Sequence, residues 1–231
     1  MATDKTRGTL TLGGGAEFTQ GAQGLGKQLL EASGAKEVLV IPTASAFEHP
    51  ERIAEHVGAF FKGLGAKPRV AMALNRSEVE EASLVDLVRT SKFIVLTDGS
   101  PMHLRSVLKG SKFFEALVAA HSGGASVWAS GAGAMVLCDP MVDQRGGAYT
   151  VGFGLVSGLA VFPHHDTAPA HLWERSAELR PSETVLAGVD ESAMLVRDPS
   201  GEWRAMGLGS VTLLGPSGEK TYAADSVIRT L

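Results

Sequence analysis

Ala125-Ser126-Val127-Trp128-Ala129-Ser130-Gly131-Ala132-Gly133-Ala134-Met135-Val136-Leu137 is the stretch on which the fold turns. Ala125–Ala129 is apolar enough to read as a buried strand. A cluster of very small residues follows, and Met135-Val136-Leu137 resumes as helix. A strand that enters a helix this way has the sequence form of a nucleophile elbow, because small flanking side chains permit the sharp turn. The helix beneath such a turn supplies positive potential and free N–H groups to an oxyanion. Tight packing of a strand on a helix writes the same small residues, so the pattern needs company before it names a site.

Outward from the elbow, short apolar runs rich in β-branched residues alternate with longer amphipathic stretches. Strands are expected at Thr9–Leu12, Glu37–Ile41, Arg69–Leu74, Phe93–Thr97 and Ala125–Ala129. Helices are expected at Gly21–Ser33, Pro50–Leu64, Ser77–Thr90 and Lys112–His121. Pro50 suits a first helical turn, and Ser77-Glu78-Val79-Glu80 reads as a capping box. This rhythm predicts an α/β fold of three layers: a doubly wound, mostly parallel sheet with helices on both faces. After residue 150 strands are expected at Leu155–Phe162, Val185–Val189, Ala193–Val196 and Trp203–Leu208, with one helix near Ala168–Leu179. They read as the rest of the same sheet plus an antiparallel extension. No linker, repeat or low-complexity segment divides the chain, so residues 1–231 are read as one domain.

The composition narrows the partners. In 231 residues, 44% hydrophobic and 20% charged side chains are enough for a real core. A net charge of −4, without a basic run, gives no reason to expect nucleic acid or an anionic membrane. Cys138 is the only cysteine, which rules out an intrachain disulfide and suits a reducing compartment. Met1–Gly8 is polar and unlike a secretory signal, and no run approaches the ~18 apolar residues of a membrane span. The cytoplasm is the expected location.

Three other segments belong with the elbow. Phe93–Pro101 is a strand that ends in the turn Thr97-Asp98-Gly99, a place from which a second oxyanion donor can come. Val161-Phe162-Pro163-His164-His165-Asp166 sets a histidine just past another strand, and Leu186–Ala193 sets Asp190 and Glu191 past a third. Catalytic groups in open α/β sheets collect at strand ends. Gly13-Gly14-Gly15 also follows a strand but lacks GxGxxG spacing, with Phe18 in the third glycine position and no GK[ST]. It reads as backbone crowding rather than a nucleotide site.

Together these segments resemble the serine peptidase family of dipeptidase E and cyanophycinase, relatives of the class I glutamine amidotransferase fold, which is flavodoxin-like. The resemblance covers most of the chain, through Gly8–Gly15, Thr97–Gly99, the elbow, the Pro-His segment and the Gly-Val-Asp-Glu segment. It implies a serine nucleophile, a histidine base, an orienting carboxylate and small peptides bearing acidic residues as substrates. Carried over by position, the nucleophile falls on Gly131, the histidine on His164 and the carboxylate on Glu191, with Asp190 as second choice. The oxyanion donors fall on the N–H groups of Gly99 and Ala132. The chain departs from the pattern twice: at Gly131, which has no hydroxyl, and at Asp98, where the family tends to glycine.

Three readings of Gly131 follow. Elbow nucleophiles sit in strained backbone costing about 1–3 kcal/mol, which glycine tolerates, so serine-to-glycine keeps the fold and loses the chemistry. The product is a crippled peptidase or a non-catalytic peptide-binding protein, whether by nature or by design. Alternatively Ser130 takes over, although neighbouring strand residues point to opposite faces and Ser130 should aim away from His164. Cys138 lies seven residues beyond the elbow and reads as a structural thiol. Arg145 is the candidate partner of a substrate carboxylate. His164, His165, Asp166 and His171 are of metal-ligating type, but their spacing is unspecific, and neither metal nor other cofactor is expected. A small peptide is the expected partner, with a homodimer left open.

Overall fold

Residues 7–229 are described by the structure, a computed structural model, so most of the polar N-terminal segment read above lies outside them. Five parallel strands form the core of an eight-stranded sheet: β1 (Leu10–Gly13), β2 (Glu37–Ile41), β3 (Lys67–Val70), β4 (Phe93–Leu96) and β5 (Ser126–Ser130). Their spatial order is β1-β5-β4-β2-β3. On the far side of β1, Ala193–Arg197, Trp203–Gly207 and Ser226–Ile228 continue the sheet in antiparallel pairing.

The continuous apolar runs have a direct physical cause. Side chains alternate between faces, and both faces are covered. Val38, Val40, Phe93, Val95 and Trp128 enter one core cluster, with residues from α1 (Gln23–Ser33) and α2 (Pro50–Gly63). Leu39, Ile41, Ile94, Leu96, Val127 and Ala129 enter the other, with residues from α3 (Ala82–Thr90), α4 (Pro101–Leu108), α5 (Lys112–Ser122) and α6 (Ala132–Leu137). Trp128 is fully buried beside Phe18, Phe60 and Phe61, with ring centroids 5.2, 6.4 and 5.9 Å away. Aromatic pairs of this kind add about 0.5–1.5 kcal/mol each beyond their buried area. Phe18 thereby anchors the loop after β1 under the end of β5.

Several sequence expectations shift. Leu159–Pro163 and Val185–Val189 leave the main sheet and form a second one with Val211–Gly215 and Gly218–Tyr222. Only Ala193–Arg197 onward supplies the antiparallel extension of the first. The stretch read as one helix from Ser77 divides at Glu81, whose ψ of 123° is extended, into a short 3-10 turn and α3. Ser77 makes no cap bond; the Asn75 side chain accepts from the N–H groups of Ser77 and Glu78 instead. α4 was not anticipated, although Pro101 opens it and Ser100 Oγ accepts from His103 N–H. α7 (Ala170–Glu178) lies within the expected Ala168–Leu179.

Register brings the four motifs to one place. Gly13 pairs with Ser130 and Leu96 with Ala129, so the glycine loop and the Asp98 turn flank Gly131. In the second sheet Pro163 pairs in parallel with Val189, so His164 and the Asp190-Glu191 pair emerge side by side.

Candidate active site

Gly131 has φ 46° and ψ −106°, a conformation that side chains avoid and that throws the chain sharply from β5 into α6. Its N–H bonds to Gly13 O at 3.0 Å, which ties the turn to the neighbouring strand. The elbow geometry is therefore present, with no side chain at its apex.

Another residue's carboxylate fills that apex. A Cβ built on Gly131 would come within 2.5 Å of all three carboxyl atoms of Asp98. Asp98 Oδ1 accepts the N–H of Ala132 at 2.7 Å and the N–H of Gly99 at 2.8 Å. These are the two donors assigned to an oxyanion, and here they hold an internal anion. Asp98 Oδ2 lies 2.8 Å from His164 Nε2. The turn is held from behind: Ser45 Oγ donates to Asp98 O at 2.6 Å, and Ser100 N–H donates to Ala44 O at 2.8 Å.

His164 is gripped on both ring nitrogens, since its Nδ1 lies 2.9 Å from Glu191 Oε1. Thr167 Oγ1 donates to the same Glu191 oxygen at 3.1 Å, and Asp166 Oδ1 accepts the Glu191 N–H at 2.8 Å. Gly15 lets the imidazole approach, because a Cβ there would lie 2.7 Å from His164 Nε2. Crowding thus explains the glycine loop: Gly15 against the histidine, Gly13 against the Glu17 carboxylate and Gly14 against the backbone oxygens of Val189 and Asp190. Asp190, the second-choice carboxylate, serves a different ring: it pairs with His165 Nδ1 at 3.0 Å and accepts Ser210 N–H at 2.9 Å.

Charge follows from these contacts. The hydrogen bond that His164 donates to Asp98 raises the His164 pKa to about 9; burial opposes the shift and Glu191 adds to it. Burial works to raise the Asp98 carboxyl, but the bonds from His164, Ala132 and Gly99 outweigh it and hold the group below the usual range. At neutral pH His164 is an imidazolium held by the Asp98 carboxylate on one side and hydrogen-bonded to Glu191 on the other.

Ser130 shares the cavity wall with His164 but makes its hydrogen bond to another residue. Its Oγ donates to Glu17 Oε2 at 2.6 Å, and Glu17 Oε1 accepts the Gly15 N–H at 2.7 Å. Glu17 is fully buried, and desolvation lifts its pKa to about 7. No sequence pattern marks this carboxylate, and Asp98 was singled out only as a departure. Arg145 does not reach the site: it is exposed and clamps Asp143 through Nη2 at 2.6 Å and Nε at 3.0 Å. Cys138 is buried, and desolvation pushes its thiol pKa up, which opposes thiolate chemistry. α6 has six residues, so the Ala132 and Gly99 N–H groups, more than any helix field, provide the positive character.

A cavity of about 570 Å³ opens over the centre, with Phe18, Glu48, His56, Asp98, Ser130 and His164 in its walls. Its lining contains no Lys or Arg among the described residues. No group of three or more His, Cys, Asp or Glu among the described residues is arranged to hold a metal ion, and no helix among them is long and apolar enough to cross a membrane.

Residues 10–202 match the model of peptidase family S51. The chain belongs to that family. A crystal structure of a peptidase from an acI-B1 Actinobacterium is similar over 98% of both chains, with 26% identity and a TM-score of 0.88. A putative peptidase E protein from Listeria monocytogenes EGD-e matches 88% of this chain and 100% of its own, with 16% identity and a TM-score of 0.68; that likeness shows the fold. No curated protein matches. The molecule is therefore a serine peptidase scaffold of family S51, with the dipeptidase E resemblance read from the sequence in place.

Proposed function

We propose that this S51 chain has lost acyl-serine peptide hydrolysis and keeps the pocket at its elbow for a small ligand. One observation carries the reading: the Asp98 carboxylate occupies both the apex over Gly131 and the two N–H donors. A peptide carbonyl needs those donors for its developing oxyanion, and losing even one such donor costs about 100-fold or more in turnover. His164 is also unfit as a base while it carries its proton. Ser130 does not replace the nucleophile in this reading, because its hydroxyl is committed to Glu17 and makes no hydrogen bond to His164 among the described residues.

The acidic Asp-Xaa ligand class rests on the family resemblance alone. An acidic side chain in this cavity would meet Glu48 and Asp98, and the protonated His164 of the lining is already paired with Asp98 and Glu191, whereas a ligand's ammonium would be favoured. The ligand proposed is accordingly a small peptide-like molecule recognised through its amino end. The lone cysteine suits the cytoplasm as its location. The test is hydrolysis of Asp-Xaa and Ala-Xaa dipeptides by the native chain and Ser130→Ala, with binding followed by calorimetry. No turnover, and binding weakened by acetylating the ligand amine, is expected. Turnover by the native chain that vanishes in Ser130→Ala would overturn the proposal.

A further inference from the structure

We infer that Asp98 is itself a nucleophile, and that the site opens a small epoxide through an Asp98 ester that His164 then helps to hydrolyse. This rests on the reading that serine chemistry is absent. It goes beyond that reading by giving the substituted residues a chemistry of their own.

The geometry supplies each requirement. Asp98 stands at the nucleophile's place, its side chain 31% exposed and lining the cavity. Oδ1 is fixed by Ala132 and Gly99, which leaves Oδ2, beside His164 Nε2, as the attacking atom. Phe18, Ile53 and Val57 give the cavity apolar wall for an organic substrate. Glu191 holds the far nitrogen of the ring, so the three side chains form a nucleophile, a base and an orienting group in sequence.

Chemistry selects the substrate class. Attack of a carboxylate on an amide carbonyl gives an adduct that expels the carboxylate more readily than the amine, so the peptide is simply regenerated. Attack on a strained sp³ carbon is not undone in this way. Asp98 Oδ2 bonds to an epoxide carbon and the ring C–O bond breaks with its electron pair on oxygen. The alkoxide then takes the proton that His164 carries. Esterification removes Asp98's negative charge, the main cause of the high His164 pKa, so the proton leaves readily and the imidazole becomes a base.

Water then adds to Asp98 Cγ while His164 accepts its proton. The oxyanion forms on Oδ1, already between the Ala132 and Gly99 donors. Collapse breaks the ester bond, His164 protonates the departing diol oxygen, and the regenerated Asp98 acid returns its proton to His164. The balance is epoxide plus water to diol, with no oxidant or metal. An alkyl halide leaves as an anion and has no use for the resting imidazolium, which is why the epoxide is favoured.

The experiment incubates the native chain, Asp98→Asn and His164→Gln with a nitrophenyl glycidyl ether, followed by peptide mapping. Parallel samples use isotopically heavy water or a fluorophosphonate. The chain has 25 Asp and Glu side chains, and most offer no more than chance reactivity. Heavy-oxygen uptake at Asp98 of the native chain should exceed that at the exposed Asp86 by about 100-fold, the low end of what a positioned acid contributes. The native chain should release diol and acquire heavy oxygen in Asp98, His164→Gln should retain the ester, and Asp98→Asn should show neither. Heavy oxygen in native Asp98 no greater than in Asp86, or diol formed without heavy oxygen entering Asp98, overturns the inference; the native map decides this even if a variant fails to fold. A fluorophosphonate adduct on Ser130 would instead overturn the loss of serine chemistry. Its absence, together with an unlabelled Asp98, refutes the carboxylate nucleophile alone.

Discussion

Restoring serine at position 131 should fail unless Asp98 is removed with it. The substituted Cβ would come within 2.5 Å of the whole Asp98 carboxyl group, so that group must leave. Its departure breaks bonds at 2.7, 2.8 and 2.8 Å to Ala132, Gly99 and His164. Bonds to a charged group contribute about 1.5–3 kcal/mol each, and the lower value applies because the carboxylate is already partly exposed. A side chain at φ 46° adds strain of about 1–3 kcal/mol. Gly131→Ser should therefore lose about 6 kcal/mol, a Tm fall on the order of 10–20 °C in a chain of this size, and gain no peptidase activity. In Asp98→Gly/Gly131→Ser the overlap disappears, both N–H donors open, and His164 loses the main cause of its raised pKa. That double variant should hydrolyse dipeptides, and its serine substitution should cost at least about 2 kcal/mol less than it does in the native background. Thermal melts and dipeptide turnover on the four members of the cycle decide the matter. A Gly131→Ser variant as stable and as active as the double variant would refute the claim that Asp98 fills the apex.

Histidine ring NMR should find His164 protonated to near pH 9 in the native chain and titrating well below that in Asp98→Asn. Because the folded pKa is raised, the stability it contributes is complete below about pH 6.5 and lost as pH rises through about 9; a native midpoint near 6.5 would refute the pairing. Glu17 is also raised, from 4.5 to about 7, so its burial is harmless below pH 4.5 and destabilises increasingly up to about pH 7. Glu17→Gln should then stabilise the chain by up to about 3 kcal/mol at pH 8 relative to its effect at pH 4, read from denaturant melts at both pH values; an equal effect at both would refute it. Ser130→Ala removes a buried donor to Glu17 and should lower stability by about 1–3 kcal/mol at pH 8, without reducing any turnover the native chain shows. A loss of turnover there would point to Ser130 as a nucleophile.

How much was legible in the sequence depended on whether the signal was local. Strands β2, β4 and β5 were readable within a residue because two buried faces produce unbroken apolar runs. The pairing of His164 with Glu191 rather than Asp190 was proposed by position, but the deciding fact, which residue after Val189 turns toward the first sheet, is a backbone property that no residue type announces. The division of the later strands between two sheets was equally hidden, since Leu159–Pro163 and the first four residues of Ala193–Arg197 are alike buried and apolar. Arg145 was chosen for its charge beside the elbow, yet Asp143, two residues away, satisfies it locally. Glu17 left no trace because one buried carboxylate after a glycine loop looks like any surface glutamate in a list of letters.

The deepest gap was that Gly131 and Asp98 were read as two departures when the structure makes them one. Each alone is a poor solution. Glycine at 131 beside a glycine at 98 would leave two inward N–H groups and His164 Nε2 without their partner. An aspartate at 98 beside a serine at 131 would put a carboxylate into the serine's own Cβ. Together, the carboxylate occupies the space the hydroxymethyl group vacates and satisfies all three donors. Replacing a serine with glycine merely to trap a substrate requires one change and gives no reason for the second. A contact in which one residue supplies what its neighbour lost is better explained as a site rebuilt around a different reacting group. That is why Asp98, thirty-three positions before the empty elbow, is the residue on which the chemistry of this chain should be tested first.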